Sequence, residues 1–180
     1  MGEYFQKIGD PGVSAGEAAA LAASIRDWLV GGEVISADLS DCALGGLAHA
    51  PGTNWGAAVD ARDRLDDNWT ALWTNGLRIG IGPTVFWDLE PDDLVCPHCG
   101  AVVPFDRFDG LDEWAAHGRD VCSCVGCGQM SGLNAWLSSI GWGVGHLCLE
   151  FWNWPPLSED FRSRLTERLR GRPVFLEGKL

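Results

Sequence analysis

No run of about 18 apolar residues, the length that would suggest a bilayer-crossing helix, occurs in the chain, so no membrane association is expected. Its opening, MGEYFQKIGDPG, has no basic segment leading into an apolar stretch. That absence argues against a secretory leader, and the cytoplasm is the expected location. Positive charge is scarce: 13 Lys and Arg face 25 Asp and Glu among 180 residues, for a formal charge of −12. A field of that sign repels phosphate backbones, which argues against nucleic acid and for protein as the partner class, although solubility alone also accounts for it. The imbalance is uneven. Asp88 to Glu113 holds eight acids and one base, whereas Pro156 to Leu180 holds six bases and four acids. Also missing is any G-x-x-x-x-G-K-[ST] motif, because Gly31-Gly32 and Gly45-Gly46 are not followed by lysine. Without such a loop nothing cradles a triphosphate.

Seven cysteines are present, at 42, 96, 99, 122, 124, 127 and 148, and five of them fall within 32 residues. An odd, clustered set in a reducing compartment favours a metal over a disulfide framework. Cys96-Pro97-His98-Cys99-Gly100 and Cys124-Val125-Gly126-Cys127-Gly128 repeat C-x-x-C-G at a 28-residue offset. Each turn presents two sulfurs, and the glycine lets the backbone fold back with amides toward them. Two facing turns complete a tetrahedron with Zn–S bonds of about 2.3 Å. The predicted ligands of a structural Zn²⁺ are therefore Cys96, Cys99, Cys124 and Cys127. Four thiolates leave no open position at which zinc could generate a hydroxide nucleophile. Cys122 offers an alternative third sulfur, His117 is a further candidate ligand, and an iron–sulfur cluster could use the same four thiolates. His98, within the first turn, is expected to face solvent. The arrangement resembles a zinc ribbon over residues 93–131, with 24 residues between Cys99 and Cys124.

Outside that segment the two ends of the chain share a layout. Glu3 to Ile8 reads as a strand, and Ser14 with Glu17 forms a capping box. Ala18, Leu21, Ala22, Ile25, Trp28 and Leu29 recur at helical spacing. Gly31-Gly32 ends that helix ahead of a strand at Glu33 to Ser36. Likewise His146 to Asn153 alternates as a strand, and Ser158 caps a helix with Phe161, Leu165 and Leu169 inward. Pro173 to Glu177 closes the chain as a strand. Two such units predict an α+β fold, a ferredoxin-like split βαβ sandwich carrying an inserted zinc ribbon. The expected division is 1–92 for the N-terminal unit, helix and hairpin, 93–131 for the insert, and 132–180 for the unit completing the main domain. Between them, Trp55 to Asp67 reads as a helix, Leu77 to Trp87 as a hairpin turning at Gly82-Pro83, and Gly132 to Gly145 mostly as loop.

YFQKIGDPGVS, DCALGGLAHAPG, LWTNGL…GPTVF and FWNWPPLSEDF…GKL together resemble a family of small, uncharacterised actinobacterial proteins that carry the label sugar ABC transporter ATPase. The resemblance spans nearly the whole chain. The missing phosphate loop contradicts that label, so the resemblance implies no activity. Ten tryptophans are present. Trp136 and Trp142 in the glycine-rich stretch, and the pair Trp152 and Trp154, are candidates for an exposed binding surface, with burial in the core as the alternative. Cys42, His49 and His146 would make an enzyme site only if the fold gathered them into one pocket. Asp38 and Asp41 beside Cys42 disfavour its thiolate. Cys148, flanked by leucines, reads as packing, and the arginines at 162, 164, 168, 170 and 172 read as a solvated face. The expectation is a non-catalytic zinc protein with a protein partner.

Overall fold

A computed structural model describes residues 2–65, 67–88 and 91–180. In chain order the elements are β1 (Tyr4–Gly9), α1 (Ala15–Gly31), β2 (Ile35–Ala43), β3 (Gly46–Pro51), β4 (Leu77–Phe86), β5 (Leu94–Val95), β6 (Val102–Val103), α2 (Gly110–His117), β7 (Val121–Ser123), β8 (Met130–Gly132), α3 (Leu133–Leu137), β9 (Gly143–Trp152), α4 (Glu159–Thr166) and β10 (Val174–Lys179). Six strands form one sheet in the order β10-β1-β9-β4-β3-β2, and every neighbouring pair in it is antiparallel. The β5–β6 and β7–β8 hairpins stand apart as two small sheets. No helix among the described residues is long and apolar enough to cross a membrane.

The fold is α+β, and its two ends differ. β9 and β10 run parallel with β1 between them, which is a split βαβ arrangement around α4. β1 and β2 are also parallel, but β9, β4 and β3 lie between them. The cause is the meander from β2 through β3 to β4, which occupies the sheet out to its far edge.

On one face of the sheet, α1 and α4 cover a core containing Ile8, Leu77, Leu147, Leu149, Phe151 and Trp154. α1 turns Ala18, Ala22, Ile25 and Leu29 inward, and its two small alanines let the helix lie close to the strands. Trp28 stacks on Phe161 of α4, with ring centroids 5.7 Å apart. Arg162, Arg170 and Arg172 are exposed, as expected of a solvated face, while Arg164 and Arg168 are half-buried. Arg162, Arg164 and Arg168 make contacts within the fold. Arg168 lies 3.9 Å over Trp28, Arg162 lies over Phe175, and Arg164 donates to the Ala57 carbonyl.

Alternate residues of β1, β4 and β9 bring Lys7, Arg78 and Glu150 together on the other face. Arg78 Nε donates to Glu150 over 2.8 Å, and Lys7 Nζ lies 3.8 Å from the same carboxylate. Lys7 also sits against the rings of Phe5 and Trp87, 4.5 and 4.1 Å from their centroids. Burial pushes the Lys7 pKa down, against the pull of Glu150.

Three local expectations change. Of the helix expected at 55–67, residue 66 lies outside the described residues, and 55–65 form two short 3₁₀ turns, Trp55–Ala58 and Ala61–Leu65, instead. Val59 between them is extended and bridges Leu157, and Leu65 faces solvent at 89% exposure. Leu77 to Phe86 is a single strand rather than a hairpin, because both halves pair with β9. Gly82, at φ 115°, makes a register-shifting bulge where a turn was expected. The stretch at 132–145 contains α3 and the start of β9, and Trp136 and Leu137 of α3 point into the protein.

At the far end of β1, Glu3 accepts from the Thr74 hydroxyl and from Asn153 Nδ2. Asn153, at φ 53°, also accepts the Tyr4 amide over 2.8 Å. These bonds favour the Glu3 carboxylate and hold its pKa below 4.5, the Thr74 hydroxyl contributing most. A depressed folded value means the contribution to stability is present above 4.5 and is lost as pH falls through the lower folded value. Glu3→Gln is expected to flatten the stability–pH curve on the acid side of that value, read from urea midpoints at stepped pH. The two helix caps also differ. Ser158 Oγ accepts the Phe161 amide at 3.2 Å, whereas the Ser14 hydroxyl donates to Glu17 and caps no amide. Ser158→Ala should therefore cost about 1 kcal/mol and Ser14→Ala clearly less, measured by denaturant unfolding.

Candidate metal centre

Each C-x-x-C turn closes a short hairpin, and the two are built alike. In β5–β6 the Cys96 amide donates to the Ala101 carbonyl at 2.9 Å, and the Gly100 amide returns to Cys96 at 3.0 Å. In β7–β8 the Cys124 amide donates to Gln129 at 2.9 Å, and Gly128 returns to Cys124 at 2.7 Å. The His98 and Gly126 amides point at the first sulfur of each turn, 3.4 and 3.3 Å away. Gly100 and Gly128 share φ 72°, the left-handed conformation that lets each loop curl back over its sulfurs.

The hairpin tips face each other. Cys96 Sγ lies 4.0 Å from Cys127 Sγ, and Cys99 Sγ lies 3.9 Å from Cys124 Sγ. All four sulfurs fall within 4.8 Å of one another. A disulfide needs sulfurs about 2.0 Å apart, so these are not bonded pairs. A tetrahedron with zinc–sulfur bonds of about 2.3 Å has edges of about 3.8 Å, which matches this spacing. The donor set, soft and free of oxygen or open positions, suits Zn²⁺. Cys122 lies outside the cluster and packs, half-buried, with the apolar side chains beneath the hairpins. Cys124 is thus the third sulfur. His117 is exposed at the end of α2 and is likewise not in the cluster. His98 is not simply solvated: its Nε2 lies 3.2 Å from the Met130 carbonyl and ties one hairpin to the other.

Electrostatics explain why the four thiols want a cation. Desolvation opposes ionisation of Cys96, but hydrogen bonds from the Cys99 and His98 amides outweigh it and bring that thiol down to about 6. At Cys99 the Ala101 amide favours the thiolate, yet the Cys96 and Cys127 thiols outweigh it and push it up to about 11. Among the four sulfurs one readily gives up its proton while a neighbour resists, since adjacent anions repel without a positive ion between them. Beneath the cluster, Cys96 and Cys124 join an apolar group of Leu94, Trp114, Leu133, Trp136 and Val144. The inner sulfurs rest on that layer, and Cys99 and Cys127 lie toward solvent.

The other candidates are dispersed. Cys42 donates to the Ala48 carbonyl and borders a cavity with Trp55 and Trp73. His49 Nδ1 lies 2.9 Å from the Ser36 carbonyl, in a groove between α1 and β4. His146 packs on Trp114, with centroids 5.0 Å apart, beside a third cavity near the start of α1. The fold does not gather the three into one pocket. Cys148 is buried, and burial raises its pKa well above the ordinary thiol value, so it is inert packing.

The tryptophans proposed as an exposed surface are inside. Trp136, Trp142, Trp152 and Trp154 expose 1%, 8%, 4% and 1% of their area. Trp142 donates to Asp88, and Trp154 donates to the Asn75 carbonyl. Large rings at strand ends and on a short helix found apolar contacts that their glycine and proline neighbours did not advertise. The most exposed tryptophan is instead Trp73, at 66%. Its one sequence signal was its position two residues before Asn75-Gly76, a dipeptide that marks a break between elements.

No protein-family model matches the chain, and no curated protein or solved structure does so at a significant level.

An added Cβ at Gly128 would meet no neighbouring atom within 4 Å. Any cost of Gly128→Ala therefore comes from its positive φ, about 1–2 kcal/mol. The variant should fold and yield bound metal to a chromogenic chelator faster than the parent protein.

Proposed function

We propose that the protein is a non-catalytic, cytoplasmic binding protein, whose structural Zn²⁺ in a ribbon-like insert staples a segment too small to hold itself, and whose partner is another protein. The observation that carries this reading is the set of four sulfurs within 4.8 Å on two matching hairpins. Four protein thiolates saturate zinc, so the ion's chemistry at this site is folding rather than turnover. Zinc binding in small modules contributes about 10–16 kcal/mol, comparable to the whole stability of a domain. The frame that bears the insert is best described as a ferredoxin-like sheet widened by the β2–β3 hairpin.

Two features support a protein partner. The insert exposes aliphatic side chains, Val125 at 94%, Val102 at 62% and Met130 at 60%, and such surfaces mark interaction sites when they cluster. The formal charge of −12 disfavours nucleic acid and membrane surfaces of the same sign. The resemblance to the actinobacterial family adds no activity.

Native mass spectrometry with metal analysis tests the centre. One zinc per chain is expected, kept in Cys122→Ser and lost in Cys124→Ser, with the hairpins unfolding in the latter. Iron in place of zinc, or zinc retained without Cys124, would overturn the structural reading. Turnover abolished by substituting a residue outside the four cysteines would overturn the non-catalytic one.

A further inference from the structure

A cavity of about 470 Å³ opens beside Trp73. It holds an unusual polar group. Asn75 is 5% exposed and is fixed three ways: its amide donates to the Cys42 carbonyl at 2.9 Å, its carbonyl accepts from Trp154 Nε1 at 2.6 Å, and its Nδ2 donates to the Thr70 carbonyl at 2.6 Å. A carbonyl can only accept, so that last bond fixes which way the side-chain amide is turned. Asn75 Oδ1 is left over. Among the described residues nothing donates to it, and it is not among the buried orphan atoms sealed from solvent. It is a held, nearly buried acceptor on a residue that lines the cavity.

The other polar side chains of the lining show the same polarity. The Thr53 hydroxyl spends its proton on Glu33 at 2.9 Å, and the Thr70 hydroxyl spends its proton on the Asp67 carbonyl at 2.7 Å. Both oxygens keep lone pairs with which to accept. Among the described residues no Lys, Arg or His borders the cavity, so an anion finds no counter-charge from them, whereas Glu33 stands one hydrogen bond behind the wall. Trp73 and Trp55 supply flat π faces. Trp55 is braced edge-on by Trp69 at 5.1 Å, and Trp69 rests on the core residue Trp154, so this wall is rigid.

Acceptors, indole faces and a negative field suit a planar, donor-rich cation. We infer that this cavity receives an arginine side chain of a protein partner, the guanidinium stacking on Trp73 and donating to Asn75 Oδ1 and the threonine oxygens. This deepens and rests on the protein-binding reading above. Guanidinium–indole stacking combines cation–π attraction with hydrogen bonding at the ring edge, and arginine and tryptophan are the residues that most often anchor interfaces.

The test uses the full-length, zinc-loaded protein and follows the indole N–H resonances by NMR, assigned with Trp73→Phe and Trp55→Phe. Acetyl-arginine amide is titrated against acetyl-citrulline amide, its neutral isostere, and against glucose. Arginine should shift the Trp73 resonance, with citrulline at least about tenfold weaker, and Trp73→Ala should abolish binding without changing zinc content. Glu33→Gln should weaken arginine binding, and added salt should do the same. No response to arginine would overturn the proposal, as would an equal or stronger response to glucose, which would make the site one for a neutral polyol. A partner recovered by cross-linking that binds Trp73→Ala as well as the parent would remove this site while leaving the protein-binding reading standing.

Discussion

The pairing of β9 with β1 on one side and β4 on the other holds the rest of the structure in place. β9 is buried along almost its whole length, so each of its residues is committed to one of two interiors. Leu147, Leu149 and Phe151 enter the core under α1 and α4, while Cys148, Glu150 and Trp152 face the opposite side. Its hydrogen bonds join residues 5–9 and 77–86 to residues 143–152, which ties both ends of the chain to its middle. A one-residue slip would exchange the two sets and put Glu150 into the helix-covered core without Arg78 or Lys7.

The same strand links the sheet to the insert. Val144 belongs to the apolar group that supports Cys96 and Cys124, so the cysteine hairpins are seated on the start of β9 rather than tethered at a distance. Two hairpins with paired segments of two and three residues bury too little to stand alone. A shared apolar floor meets part of that deficit and positions the inner sulfurs, and a bound metal ion would meet the rest by holding the outer pair.

Legibility followed the range of the interactions. The stripe on α1 and the cap at Ser158 were readable because each depends on neighbours three or four residues away, and the terminal strands because their alternation is local. The sulfur cluster was readable for a similar reason, since each half is one local turn and zinc accepts only a few geometries. The helix expected at 55–67 failed because Val59 is drawn to Leu157, nearly a hundred residues on. The hairpin expected at 77–87 failed because a ten-residue β9 offered a continuous partner to both halves. Gly82 then had only to bulge.

Sequence by itself determined the elements whose causes are local: the C-x-x-C-G turns with their left-handed glycines, the helical stripes, and the acidic balance. Only the tertiary structure decided which surfaces are inside. It buried Trp136, Trp142, Trp152 and Trp154, dispersed Cys42, His49 and His146 among three cavities, left Trp73 exposed, and set Asn75 in the wall of a cavity. Burial is a property of what arrives from elsewhere in the chain, and an indole carries the same residue letter whether a sheet covers it or water does.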